Sequence, residues 1–419
     1  MNLRITPTQL KGSITPPPSK SQAHRLIIAA ALAEGESVIS NVALSQDIRA
    51  TLACMEALGA GTGMAGDDTL AVTGVGGGPA PCAGGTDGGG LPLLDCGESG
   101  STLRFLIPIA LALAGGGVFT GRGRLLARPQ KPYADLFAEK GLRFVQEEGA
   151  ITACGVLKPG VYELPGDVSS QFVTGLLYAL PLLEGNSEIR VTTGLESAGY
   201  VAMTLDALEQ FGVTVDNDGW RTFRIPGNQT YRPRSLAVEA DWSQAGFWYA
   251  AAGIGNQVAV TGMNEGSVQG DRALVEYRDF FFSAPPARRY TSVAQVPDLV
   301  PPLAVWAALT GGTTVLHSAG RLRMKESDRL ATVTEVLRAL GARVEEGPDS
   351  LTIEGRPSLS GGVSVSAHND HRIAMMAAVA ATRCERPVVI RGAECVAKSY
   401  PNFWEDYRFL GGQIEEVTA

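Results

Sequence analysis

The stretch SKSQAHRLIIAAALAEG, residues 19–35, joins a polar cluster to an apolar run, and the fold of the whole chain is read outward from it. Pro16, Pro17 and Pro18 forbid helix before it, and the alanine-rich segment after Ser21 predicts helix, so Lys20 and Arg25 fall at a helix N-terminus. That end already carries the positive pole of the helix dipole. Cations gathered there add like charge to like unless an anion lies among them, so the stretch predicts an anion site as well as a helix.

The same arrangement returns as ESGSTLRFLIPIALALAGG (98–116), SSQFVTGLLYALPLLEG (169–185), DWSQAGFWYAAAG (241–253), PDLVPPLAVWAALTGG (297–312) and NDHRIAMMAAVAA (369–381). Successive starts lie 79, 71, 72, 56 and 72 residues apart, which marks six copies of one structural unit. Between them runs a second series, TLACMEALGAG, YADLFAEKGLRFV, TLDALEQFGVTV, LVEYRDFFF, TVTEVLRALGARV and NFWEDYRFLGGQI. In TVTEVLRAL the apolar residues Val333, Val336, Leu337 and Leu340 keep helical spacing, and ARVEE (342–346) then reads as a strand.

Each unit therefore holds two helices and short strands. The first helix is apolar nearly all round and belongs inside a domain, whereas the second presents one face to solvent. Six units divide into two domains of three. Residues 1–18 plus 236–419 form one, with repeats four to six, and 19–235 form the other, with repeats one to three. The fourth unit is short: SAPPARRYTSVAQ (283–295) supplies one strand-like stretch where other units have room for a hairpin, so a hairpin is expected to be missing.

Composition bounds the function. Apolar runs such as FLIPIALALA (105–114) fall short of the ~18–20 residues that cross a bilayer, and MNLRITPTQL has no signal-peptide core, so a cytoplasmic chain without a membrane span is expected. Cysteines 54, 82, 96, 154, 384 and 395 form no C-x-x-C pair and have no histidine at zinc spacing, which predicts free thiols and no metal. A net charge of −8 argues against a nucleic-acid partner, so any anion site is a local basic cluster.

Such clusters open the apolar helices: Lys20, Ser21 and Arg25; Gly100, Ser101 and Arg104; Ser169, Ser170 and Gln171; Asp298; Asp370, His371 and Arg372. One such start is ordinarily an N-cap or a turn. Five alike in one repeated architecture point to helix ends that share an anion-binding role. RLRMKESDRL (321–330) gathers Arg321, Arg323, Lys325 and Arg329 around Glu326 and Asp328, either as a solvated face with Ser327 as a helix cap or as part of the site. AKSYP sets Lys398 before a helix.

PPPSKSQAHR, ESGSTLRF, ARPQKPYADL, DVSSQF, PDLVPPLAV, RMKESDRL, NDHRIAM and AKSYPNF together resemble, in order and spacing, the motifs of the 5-enolpyruvylshikimate-3-phosphate synthase family, nearly end to end. The resemblance implies an α/β fold, a two-domain inverse βα barrel of six βαβαββ repeats with the active site in the cleft between domains. It implies transfer of the enolpyruvyl group of phosphoenolpyruvate to the 5-hydroxyl of shikimate 3-phosphate, a step of the shikimate pathway to chorismate and the aromatic amino acids. A monomer without metal or organic cofactor is expected. Two phosphates and two carboxylates would then be the anions that the basic helix starts require.

Carried over by position, Lys20, Ser21, Arg25, Ser169, Ser170, Gln171, Ser197, Asp298 and Lys325 resemble the shikimate 3-phosphate site. Lys20, Gly100, Arg128, Gln171, Arg329, Arg372 and Lys398 resemble the phosphoenolpyruvate site, where guanidinium forks grip carboxylate and phosphate bidentately. Asp298 resembles the base for the 5-hydroxyl, Glu326 or Lys20 the donor of a proton to the methylene carbon, and Lys325 an assisting cation.

Some positions depart from the pattern. Arg321 stands where many relatives have asparagine, SAGY (197–200) replaces a more usual proline before Tyr200, and the shortened fourth unit lies on the loop leading to Asp298, where a misplaced base is one expected consequence. Glycine at 100 leaves room for phosphoenolpyruvate and its mimic glyphosate, so ordinary sensitivity to glyphosate is expected. The alternatives are the sibling transferase acting on UDP-N-acetylglucosamine and a paralogue that binds phosphorylated metabolites without turnover. The sibling uses a cysteine on its mobile loop, and GRGRLLARPQ (121–130) has none.

Overall fold

The computed structural model describes residues 1–76, 90–283 and 288–418; Cys82 lies outside them. Twelve α-helices are described: α1 Lys20–Leu32, α2 Gln46–Ala57, α3 Gly100–Ala114, α4 Lys131–Glu139, α5 Ser170–Ala179, α6 Ala198–Gln210, α7 Trp242–Gly253, α8 Leu274–Ser283, α9 Val300–Leu309, α10 Arg329–Ala339, α11 His371–Ala381 and α12 Phe403–Phe409. Odd-numbered helices are the apolar series and lie inside: α11 is buried over its whole length and α1 from Gln22 onward. Even-numbered helices bury one face, as α12 does with Phe403, Trp404 and Tyr407. Alternation of this kind follows from where each helix keeps its polar residues.

The chain divides into two compact units, Pro18–Glu239 and Met1–Pro17 with the residues from Ala240 on. In Pro18–Glu239 three four-stranded sheets share one wiring. Leu93–Asp95 runs parallel to Gly116–Thr120, which pairs antiparallel with Ala150–Cys154, itself hairpinned to Arg143–Glu147. The sheet of Val161–Leu164, Ser187–Val191, Thr222–Ile225 and Asp216–Asp218 repeats the pattern. In the remaining sheet the leading strand comes from far along the chain: Ser235–Ala237 pairs parallel with Glu36–Ser40. That strand carries the division to Glu239, whereas the expected boundaries were 18/19 and 235/236.

The helices of this unit pack closely. A β-carbon on Gly175 of α5 would fall 2.4 Å from both the Arg104 carbonyl oxygen and the Tyr133 hydroxyl, so only glycine lets α5 lie against α3. Phe172, Leu176, Leu177 and Tyr178 of α5 are fully buried. Each such apolar side chain contributes about 1.5–3 kcal/mol of transfer free energy.

In the other unit Arg288–Ser292, Thr313–His317, Ser350–Glu354 and Arg343–Glu346 form one sheet of the same wiring. Its companion closes with both chain ends, since Asn2–Thr6 pairs antiparallel with Val388–Arg391 and with Gln413–Glu416. The fourth repeat has two strands among the described residues, Lys11–Ile14 parallel to Gln257–Val260, and no hairpin. The strand in SAPPARRYTSVAQ is Arg288–Ser292, and it leads the fifth repeat. No helix among the described residues is long and apolar enough to cross a membrane.

Candidate functional site

In Pro18–Glu239 the polar helix starts are held by caps and by partners within the protein. Ser19 caps α1 through its hydroxyl, which accepts from the Gln22 N–H, and Lys20 then pairs at 2.7 Å with Asp47 Oδ2 in the first turn of α2. Arg25, one turn further, is buried and committed to the protein. Its Nε donates to Thr204 Oγ1 at 2.9 Å, and its Nη atoms donate to the carbonyls of Ser21 and Tyr200, each at 2.8 Å. Burial lowers its pKa to about 10. Arg25 thus ties the start of α1 to α6, whose cap Ser197 sits in the left-handed region at φ 56°. A non-glycine residue held there costs about 1–3 kcal/mol, a strain characteristic of binding sites.

Arg104 of α3 organises a third helix start. Its Nη1 donates to Gln171 Oε1 at 2.9 Å, its Nη2 to the Pro129 carbonyl at 3.1 Å, and its guanidinium lies 4.7 Å from the Phe172 ring centre. Gln171 in turn donates to Ser101 Oγ at 3.0 Å. Ser169 caps α5 by accepting from the Gln171 N–H, and Ser170 opens that helix as a buried residue. Ser101, Arg104, Ser169 and Gln171 are therefore one hydrogen-bonded group.

Ser99 caps α3, and Gly100 is its first residue. The Arg128 guanidinium lies against that glycine. Arg128 is 7% exposed, its buried Nε has no hydrogen-bond partner, and among the described residues its guanidinium donates to no protein acceptor. A nearly buried cation with unsatisfied donors beside a helix N-terminus is arranged for an anion.

In the other unit Asp298 occupies a short turn, Pro297–Leu299, ahead of α9. Its Oδ1 accepts from Arg329 Nη1 at 2.8 Å and lies 3.6 Å from Lys325 Nζ, and its Oδ2 accepts from Arg372 Nη2 at 3.0 Å. The short fourth repeat has not displaced it from these partners. Arg329, 1% exposed, also donates from Nη2 to Glu326 Oε2 at 2.7 Å and from Nε to Asp370 Oδ2 at 2.8 Å. Burial works against the Arg329 charge, yet Asp370, Glu326 and Asp298 outweigh it and hold the pKa above its ordinary value. Lys325 lacks that compensation: burial pushes its amine down to about 8, with Asp298 and Glu326 opposing and Arg329 and Arg321 reinforcing the shift. Lys398, nearly buried, donates to the Asn369 carbonyl at 2.7 Å.

Some expectations change. The cap of α10 is Asp328, which accepts from the Ala331 N–H; Ser327 instead bonds Thr332 Oγ1 at 3.1 Å and Asp370 Oδ2 at 3.0 Å. Arg323 is structural, spent on Asp328, Glu346 and the Gly347 carbonyl. Arg321 donates to the Ala294 carbonyl, on the approach to Asp298. Asp47, partner of Lys20, was missing from the expected residues, and Asp370, expected only as part of the α11 start, proves to be the partner of Arg329. Both stand at helix starts, but no local pattern says which distant cation each meets.

A family model described as EPSP synthase (3-phosphoshikimate 1-carboxyvinyltransferase) matches residues 5–279 and 285–407. A 3-phosphoshikimate 1-carboxyvinyltransferase from Clostridium kluyveri is 44% identical over 434 aligned residues, covering 99% of this chain and 98% of the relative. The EPSP synthase structure from Acinetobacter baumannii superposes with a TM-score of 0.80 at 25% identity, covering 99% of this chain and 100% of that one. The enolpyruvyl transferase NikO from Streptomyces tendae, at 18% identity and TM-score 0.78 over 100% of this chain and 99% of that one, shares the fold.

Proposed function

The chain belongs to the EPSP synthase (3-phosphoshikimate 1-carboxyvinyltransferase) family, and from that premise we propose that it transfers the enolpyruvyl group of phosphoenolpyruvate to the 5-hydroxyl of shikimate 3-phosphate, releasing phosphate. The observation that carries this reading to the residues is the Arg128 guanidinium, buried beside the α3 N-terminus without an acceptor among the described residues. Gly100 and Arg128 bind the phosphoenolpyruvate anion there, with Lys20 and Gln171 reaching the same ligand. Ser21, Arg25, Ser169, Ser170 and Ser197 hold or shape the shikimate 3-phosphate side. Because Arg25 spends its fork on protein carbonyls and Thr204, its part is chiefly to set the α1–α6 geometry.

Arg329, Arg372, Lys325 and Lys398 supply cations to the same two substrates. In the described structure Asp298 and Glu326 occupy the guanidinium protons that a carboxylate or phosphate would accept. Binding of phosphoenolpyruvate exchanges these acceptors, which frees an Asp298 oxygen to take the proton of the 5-hydroxyl. The hydroxyl oxygen then bonds to the central carbon of the enol phosphate while Glu326 or Lys20 protonates the methylene carbon. Return of a proton from the new methyl group to the base left by that donor, with departure of phosphate from the tetrahedral intermediate, re-forms the double bond, now as an enol ether. Positioned acids and bases contribute about 10²–10⁴-fold to such steps, and fixed cations stabilise the departing phosphate. The reaction runs in the cytoplasm with the chain as a monomer and with no metal or organic cofactor.

Phosphate release measured with each substrate alone and with both tests the reading. It requires both substrates and falls by about 10²–10⁴-fold in Asp298→Ala. Release from phosphoenolpyruvate alone, at the same rate in the variant, rejects it. Neither the UDP-N-acetylglucosamine transferase nor a non-catalytic paralogue is favoured by the relatives.

A further inference from the structure

Four side chains to which the proposed reaction gives no role form an unbroken buried line in the unit Pro18–Glu239. His24 Nδ1 of α1 lies 2.7 Å from Thr51 Oγ1 of α2, and Thr51 Oγ1 lies 2.7 Å from Thr102 Oγ1 of α3. Thr102 Oγ1 then donates to Ser99 Oγ, the cap of α3, at 2.7 Å. All four residues are 0% exposed.

Counting hydrogens orders the line. Thr102 gives its single hydroxyl hydrogen to Ser99, so toward Thr51 it can only accept. Thr51 has one hydrogen for two acceptors, Thr102 Oγ1 at 2.7 Å and the Asp47 carbonyl at 3.3 Å one turn back on α2, and with that hydrogen on either of them it can only accept from His24. The hydrogen of His24 therefore sits on Nδ1, and Nε2, buried and without a hydrogen-bond partner, is bare. A proton added at Nε2 would find no acceptor. Burial, Lys20 and Arg25 all disfavour it and hold the His24 pKa well below its ordinary value, while Asp47 on the neighbouring helix is engaged by Lys20.

We infer that His24, as a permanently neutral Nδ1–H tautomer, is a positioning residue: through Thr51 and Thr102 it registers Lys20 on α1 against the Gly100–Arg128 corner of α3. Apolar helix faces tolerate small slides, whereas a run of directional hydrogen bonds in a dry interior does not. The spacing between the two cationic groups that meet one anion is thereby set before substrate arrives. The kinetic consequence rests on the phosphoenolpyruvate reading above; the tautomer does not.

The test uses the full chain labelled with ¹⁵N-histidine. Long-range ¹H–¹⁵N spectra from about pH 5.5 to about pH 9 show His24 protonated at Nδ1 and unchanged throughout. An Nε2–H tautomer, or titration within that range, overturns the inference without any variant or substrate. Thr51→Val keeps the shape and removes the link; KM for phosphoenolpyruvate rises about five- to tenfold with kcat within about twofold, and Thr51→Ser restores it. Thr102→Val breaks the next link and gives the same split. Loss of thermal stability with an unchanged KM in both valine variants means that the line only supports the fold, and overturns the positioning role. Failure of the wild-type chain to release phosphate rejects the reaction reading alone.

Discussion

Arg128 lies against the α-carbon of Gly100 so closely that a β-carbon built on that glycine would fall 2.7 Å from Nη1 and 3.0 Å from Cζ. Gly100→Ala therefore moves the Arg128 guanidinium rather than the helix. We expect KM for phosphoenolpyruvate to rise about tenfold, and half-inhibition by glyphosate to need more inhibitor than in the wild type, with folding intact. The wild-type chain should be inhibited by glyphosate. Resistance of the wild type at millimolar concentration, or an unchanged KM in the variant, would sink this account of the corner.

Lys325 gives the activity a pH limit. Its amine, pushed down to about 8 chiefly by burial, is a cation below that pH and loses the proton as pH rises through it. The free enzyme then loses a positive charge beside Asp298, so kcat/KM falls above about pH 8. Bound substrate anions favour the charged amine, so the fall in kcat lies at higher pH. Lys325→Arg, charged throughout, removes the limb. A wild-type kcat/KM profile that is flat from pH 7 to about pH 9.5 contradicts the assignment.

Asp370 holds Arg329 from inside. It is 0% exposed, accepts from Arg329 Nε at 2.8 Å and caps α11 at the Arg372 N–H. Asp370→Ala leaves a buried guanidinium short of an acceptor and removes the cap, which costs about 3–5 kcal/mol in urea unfolding. A loss under about 1 kcal/mol would show that Asp298 and Glu326 alone suffice for Arg329.

Arg104→Lys separates charge from shape. Lysine keeps the cation but cannot serve Gln171, the Pro129 carbonyl and the Phe172 ring together. Stability drops by about 1–3 kcal/mol, and Gln171, released from its fixed orientation, makes KM for phosphoenolpyruvate rise. Full activity in this variant would mean that Ser101 alone orients Gln171.

Much of this was legible in the residues because the governing forces are local. The apolar series defined the buried helices before any coordinate, since a segment such as NDHRIAMMAAVAA has no polar face to show to water. The short fourth repeat was visible as a missing length of chain, and two strands stand there. The helix starts raised the expectation of a counter-ion, because a cation at a helix N-terminus is out of place without one, and at α1 the structure supplies the Asp47 carboxylate. They did not separate Arg323, which braces Asp328 and Glu346, from Arg329, which meets Asp298: the two lie six residues apart in one basic run.

What the sequence by itself determined is the period, the two classes of helix and the residue types that open them, all of which follow from side-chain polarity along a short stretch. Partnership was decided only by the tertiary structure. Ser235–Ala237 crosses the expected boundary to lead the first sheet, Asn2–Thr6 completes a sheet with the opposite end of the chain, and His24 finds Thr51 and Thr102. Backbone and hydroxyl groups are alike at every position along the chain. Which of them meet is set by how the buried helices close on one another, a sum of long-range contacts that no local pattern records.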